Sequence, residues 1–89
     1  MFVKHILVQH AYEAQDLEKK LKSGEDFSVL AKKFSKCSSA QIGGDLGDLS
    51  KVQSRIDPDF MEACEPLRVN QISKPIRTRF GYHLILRYK

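Results

Sequence analysis

The sequence predicts an α+β fold built on a small antiparallel sheet. Three observations carry this. Apolar, β-rich runs stand at the two ends of the chain, Phe2–Gln9 and Tyr82–Tyr88. Two helical patterns follow one another directly behind the first run. Helical and extended segments do not alternate strictly, as they would in a parallel βαβ sheet. The 89 residues, 42% of them hydrophobic, suffice for one core, so a single domain is expected over 1–89.

Phe2–Gln9 places His5 and Leu7 on one strand face and Ile6 and Val8 on the other. Apolar groups on both faces predict an inner strand. Ala11–Lys22 is an amphipathic helix with Ala14, Leu17 and Leu21 on one stripe. Its acidic residues come early and its lysines late, which suits the helix dipole. Gly24 ends it. Asp26 caps a second helix, Phe27–Phe34, in which Phe27, Leu30, Ala31 and Phe34 recur at helical spacing. A short helical segment is expected near Ala40, a strand-like segment around Leu46–Leu49, and a polar loop over Ser50–Arg55. Asp57-Pro58 starts a helix that Pro66 stops near Glu65. Gln71–Ile76 alternates like an edge strand despite Pro75, Arg77–Gly81 is a turn, and Tyr82–Tyr88 is the last strand, with His83, Ile85 and Arg87 on one face.

Charge and composition narrow the function classes. The formal net charge is +4, but the basic residues are scattered and not interleaved with stacking aromatics, so no specific nucleic-acid partner is expected. No apolar run approaches a membrane span. The N-terminus has neither the basic leader nor the long apolar stretch of a signal peptide, so a soluble, cytoplasmic protein is expected. Small size and scattered charge favour a monomer. Two cysteines, Cys37 and Cys64, make neither a disulfide framework nor a Cys-x-x-Cys pair and are read as reduced thiols, Cys64 on the same helical stripe as Phe60. A zinc site from His5, His83 and Cys37 lacks local ligand spacing, and no cofactor is expected.

The densest stretch is Ser35–Gly47, which holds Cys37, Ser38, Ser39 and the glycines Gly43, Gly44 and Gly47. Glycines so close together call for positive φ or a close backbone approach. Alone, the thiol beside them reads as a small buried hydrophobe. The strand histidines at the two ends of the chain, His5 and His83, change that reading, because paired end strands that share a face would bring them together beneath the Cys37 loop.

Five segments carry a resemblance: His5-Ile6-Leu7-Val8, Gly24-Glu25-Asp26-Phe27, Leu30-Ala31-Lys32-Lys33-Phe34-Ser35, Gly43-Gly44-Asp45-Leu46-Gly47 and Phe80-Gly81-Tyr82-His83-Leu84-Ile85. In this order and spacing they resemble the parvulin family of peptidyl-prolyl cis–trans isomerases, in its small single-domain form. The resemblance implies a four-stranded antiparallel sheet surrounded by about four helices, in the order βαααβαββ. It implies that His5 and His83 are the paired histidines beneath the active site and that Cys37 holds the position taken by Cys or Asp in the family. Ser39 and Thr78 are implied as supporting groups, with Thr78 orienting a histidine. Leu46 and Phe60 match two walls of the proline pocket. The third wall, usually Met, falls in Val52-Gln53-Ser54-Arg55-Ile56, where two residues are inserted, and Ile56 is the candidate.

The implied substrates are proline-containing peptides or unfolded chains. An X–Pro bond turns over a barrier of about 18–20 kcal/mol, because rotation breaks amide resonance. Unaided, this takes on the order of 10–100 s. The enzyme has only to bind the twisted amide better than either planar form. An apolar slot (Leu46, Ile56, Phe60) would hold the ring, and a Cys37–His5–His83 network would hold the rotating carbonyl without covalent attack. The connection Gln9–Glu13 carries no Lys or Arg, so phosphate-directed selection is not expected and X should be uncharged. The alternative is a parvulin-like module that binds unfolded or proline-containing chains without turnover.

Overall fold

The computed structural model describes residues 1–52 and 55–89. In chain order it contains β1 (Phe2–Val8), α1 (Ala11–Lys22), α2 (Phe27–Phe34), a 3-10 helix (Ser38–Ile42), β2 (Asp45–Asp48), α3 (Leu49–Val52), α4 (Pro58–Cys64), β3 (Ile76–Thr78) and β4 (Gly81–Arg87). The four strands form one sheet in the order β2-β1-β4-β3, antiparallel throughout. The two ends of the chain thus supply its two central strands.

Local chemistry places the helices. The Glu13 carboxylate accepts the His10 N–H at the start of α1, and Asp26 accepts from Val29 N–H at the start of α2. Asp57 caps α4 by accepting the Asp59 N–H at 2.8 Å, with Pro58 at the first turn. α4 ends at Cys64, just ahead of Pro66, as expected.

The sheet is covered on both faces. One face sets Ile6, Val8 and Leu84 against Ala14 and Leu17 of α1 and Phe27, Leu30 and Ala31 of α2. The other sets Val3 and Ile85 against Leu49, Phe60, Cys64 and Leu67. Fully burying such aliphatic side chains contributes about 1.5–3 kcal/mol each.

Two segments differ from expectation. Leu49–Val52 is a one-turn helix where a polar loop over Ser50–Arg55 was expected; Leu49 is buried and Val52 packs partly against the core, while Ser50 and Lys51 stay exposed. Residues 53 and 54 of that loop, and with them part of the inserted Val52–Ile56 segment, lie outside the described residues. The third strand is Ile76–Thr78 and not Gln71–Ile76, so Arg77 and Thr78 leave the expected turn for the sheet. Upstream, Ile72 makes one isolated bridge to Leu86 and Ser73 N–H bonds Ile85 C=O, but Pro75, lacking an N–H, breaks the ladder before it resumes at Ile76.

The β1–β2 register slips between Val3, which faces Gly47, and Lys4, which faces Asp45. Leu46 is therefore the extra residue of a bulge, with Gly47 beside it at φ +68°. That bulge turns Leu46 toward the site.

Candidate active site

Strand register brings the histidines together. In the β1–β4 pairing His5 lies opposite Ile85 and Leu7 opposite His83, so both imidazoles emerge diagonally on one face. Their rings are nearly parallel, 19° apart with centroids at 5.3 Å, and His5 Nδ1 is 3.1 Å from His83 Nδ1. Thr78, on the edge strand β3, reaches His83 Nε2 through its Oγ1 at 2.7 Å, and that same Oγ1 accepts the Phe80 N–H. His5, His83 and Thr78 are 5%, 4% and 6% exposed, so this polar chain lies inside the protein.

Burial fixes its charge. Desolvation lowers the pKa of His5 to about 4, and the neighbouring His83 adds to the effect. Desolvation likewise lowers His83 to about 4, against an opposing pull from the Asp57 carboxylate. Both rings are neutral at pH 7. A neutral pair sharing an Nδ1–Nδ1 hydrogen bond has one donor and one acceptor, which couples the tautomers. If His83 donates from Nδ1, its Nε2 accepts from Thr78 and His5 Nε2 keeps a proton; in the reverse arrangement His83 Nε2 donates to Thr78 and His5 Nε2 is a bare acceptor. His5 Nε2 is buried and has no partner among the described residues in either arrangement. The chain can thus exchange its two tautomeric arrangements without forming an ion.

Phe60, from the first turn of α4, closes the space above the rings. It meets His5 and His83 edge-on, at 5.4 and 5.2 Å between centroids and about 80° between planes (83° and 81°). A cleft of about 220 Å³ opens over this group. Leu46, Ile56 and Phe60 form apolar walls, and His5, His83 and Cys37 also line it. Leu7, Phe80, Arg55 and Asp57 complete the lining. Strand alternation already put Leu7 on the His5 face. Phe80, 57% exposed beside its turn, and the rim charges could be placed only by the tertiary structure.

Two expected contacts are absent among the described residues. The polar chain runs Thr78–His83–His5, and no hydrogen bond joins the Cys37 thiol to either imidazole. Cys37 is a half-buried wall of the cleft. Ser39 stands outside the lining; its hydroxyl is buried without a protein partner and its main-chain carbonyl accepts the Gly44 N–H at 2.8 Å. The 3-10 turn draws Ser39 inward to hold Gly44, which leaves Cys37 nearer the opening. Cys64 packs in the core, and burial pushes its thiol up to about 11.

The Cys37 loop is held by groups with no assigned role in the sequence reading. Leu7 N–H donates to Ser35 Oγ at 3.0 Å, Lys36 N–H donates to Leu7 C=O at 2.7 Å, and Cys37 N–H reaches Ser35 Oγ at 3.4 Å. Ser35 and Lys36 thus continue the pairing of β1 beyond the end of β2. On the other side of the loop His5 N–H donates to Gly44 C=O, and a Cβ on Gly44 would collide with the His5 carbonyl. That close approach explains the glycine pair, Gly43 and Gly44, both at positive φ.

Known proteins share this architecture. Residues 5–89 match the rotamase family model described as a PPIC-type PPIASE domain. The chain is 46% identical over 81 residues to the foldase protein PrsA of Bacillus subtilis strain 168, which covers 91% of this chain and 27% of that protein. The crystal structure of PrsA from Bacillus subtilis superposes with a TM-score of 0.94 at 42% identity, over 100% of this chain and 34% of that one. The solution structure of NmPin, the parvulin of Nitrosopumilus maritimus, gives 0.87 at 41% identity, over 100% of this chain and 95% of that one. The chain spans about a quarter of the length of the curated relatives it matches.

Proposed function

The chain belongs to the PPIC-type, or parvulin, family of peptidyl-prolyl cis–trans isomerases, and from that premise we propose that it turns X–Pro bonds with an uncharged, mostly apolar X in unfolded client chains. The observation that carries this is the pairing of an apolar slot with a buried, neutral polar chain. The proline ring packs on Leu46, Ile56 and Phe60. The peptide carbonyl turns over Cys37, His5 and His83.

Twisting the amide shrinks its resonance dipole and makes its nitrogen more pyramidal and basic. A poorly hydrated cleft suits that form better than the planar one. The neutral Thr78–His83–His5 chain holds both imidazoles uncharged beneath the turning amide. Because no ion forms there, the twisted amide meets dipoles and not charges. Cys37 acts as a polarisable, weakly hydrogen-bonding wall and makes no covalent bond. A monomer in a reducing, cytoplasmic compartment belongs to the same proposal, supported by two cysteines that stand as free thiols.

The test is cis–trans exchange in an Ala-Leu-Pro-Phe peptide, followed by NMR with catalytic amounts of protein. Faster exchange is expected, reduced at least tenfold in Phe60→Ala that remains folded, about 1.4 kcal/mol of transition-state binding. Peptide-induced shifts without faster exchange would refute the proposed turnover and leave only binding.

A further inference from the structure

The rim of the cleft is charged in a way the apolar slot does not require. Among the described residues lining it, Asp57 is the one carboxylate, and it is engaged. Its Oδ1 accepts the Asp59 N–H at 2.8 Å as the α4 cap, and its Oδ2 is 3.6 Å from Arg79 Nε. Its side chain is 10% exposed, whereas that of Arg79 is 77% exposed. Arg79 places its guanidinium carbon over the Phe80 ring, 4.9 Å from the centroid. A contact of 3.6 Å through Nε is longer than a hydrogen bond, and among the described residues neither terminal nitrogen has a hydrogen-bond partner, so both can grip a planar anion. Arg55 lines the cleft from the α3–α4 connection, is exposed, and has no carboxylate within ion-pair distance among the described residues. Arg55 thus lines the cleft itself, and Arg79 stands just outside the lining against two of its members, Asp57 and Phe80, so the one lining carboxylate is already engaged.

We propose that Arg55 and Arg79 select clients that carry an aspartate or glutamate on a residue flanking the X–Pro pair. The proposal rests on the isomerase reading and adds a substrate class to it. The slot takes the proline, X remains uncharged, and the carboxylate of a neighbour lies between the two guanidiniums. Arg79 is held in place for this by Phe80 and Asp57. Bidentate Arg–carboxylate geometry gives the contact direction, and exposure keeps it modest and sensitive to salt.

The test uses the 89-residue chain and paired Ala-Leu-Pro-Phe-based peptides. Each pair differs only in Glu against Gln, placed before X, at X, or at the first or second residue after proline. At low ionic strength, the catalysed exchange of the Glu peptide is expected to exceed that of its Gln twin by about threefold or more at a flanking position, the scale of exposed ion pairs. The ratio should move toward one at high salt. It should also move toward one in Arg55→Gln/Arg79→Gln, but not in Lys32→Gln/Lys33→Gln, which removes the same charge from α2. Equal rates at every flanking position, a gain confined to X, or a ratio that survives in the arginine variant would overturn the proposal. An equal loss in the lysine variant would assign the effect to net charge and also overturn it. Should no peptide be accelerated, the isomerase reading fails separately, and Kd values of the same pairs, read from amide shifts, decide the carboxylate proposal: equal values refute it.

Discussion

The two faces of the sheet are made from the same strands and solve different problems. On one, Ile6, Val8 and Leu84 meet the apolar stripes of α1 and α2, and the Lys4–Ser28 hydrogen bond at its margin is only partly buried. On the other, one residue away along each strand, His5 and His83 are buried beside Val3, Ile85 and Phe60. Each imidazole there forgoes protonation in order to stay in the core. The pleat separates the two tasks: because side chains alternate, a strand can support the fold through Leu84 and present chemistry through His83. The first face should respond to substitution in stability, the second mainly in rate and in pH dependence.

The largest effect should come from the first face. Leu84→Ala is expected to lose about 2–5 kcal/mol, a large part of an ordinary domain's stability, as measured by urea unfolding. Its folded fraction should still catalyse. His83→Gln, which keeps an amide able to meet Thr78 and His5, should unfold close to the parent and lose about tenfold in exchange rate, or 1.4 kcal/mol. If both variants lose the same catalysis per folded molecule, the division between faces fails.

The second face should also reveal itself through pH. A histidine with pKa about 4 in the fold and 6.5 unfolded leaves the unfolded state holding more protons between those values. Stability is therefore fully present above about pH 6.5 and is lost as pH falls toward 4, by up to about 3 kcal/mol for one such site. Unfolding midpoints measured across this range should fall with acid in the parent and fall less steeply in His83→Gln. An unchanged slope would show that the imidazoles do not carry the acid sensitivity.

Smaller effects should sharpen the picture of the loop over the site. Cys37→Asp is expected to keep substantial activity and Cys37→Ala to lose part of it. Equal inactivity of both would point back to a covalent thiol. Ser35→Ala removes the hydroxyl that accepts from Leu7 N–H and steadies Cys37. About 1 kcal/mol of stability should go with it. As a positioning residue, Ser35 should also affect kcat more than KM, with recovery in Ser35→Thr; a loss of stability without that split would leave it a purely structural bond.

Much of this was legible in the chain. Helix periodicity, Asp26 and Asp57 as caps, Pro58 and Pro66 as punctuation, and strand alternation placing His5 with Leu7 are local signals, and they carried through. Leu46 stood in one of the ordered motifs, Phe60 and the candidate Ile56 came from the family match, and all three line the cleft. The expected Cys37 bond to the histidines did not form, because thiol reach depends on how the 3-10 turn is pulled toward Gly44, a non-local contact. The misplaced third strand has the same origin. Gln71–Ile76 alternates correctly, but the edge ladder is decided by β4, which pairs regularly only after Pro75.

The sequence by itself determined the element types, the apolar stripes and the residues able to do the chemistry, since these depend on side-chain period and on neighbours within a few positions. Tertiary structure alone decided three things: which nitrogen of His5 meets His83, that Arg55 lines the cleft, and that Arg79 reaches Asp57 beside it. Those outcomes hinge on strand register, on the bulge at Leu46 and on the packing of α4 against the sheet. A one-residue slip in any of them would turn the same side chains to the opposite face.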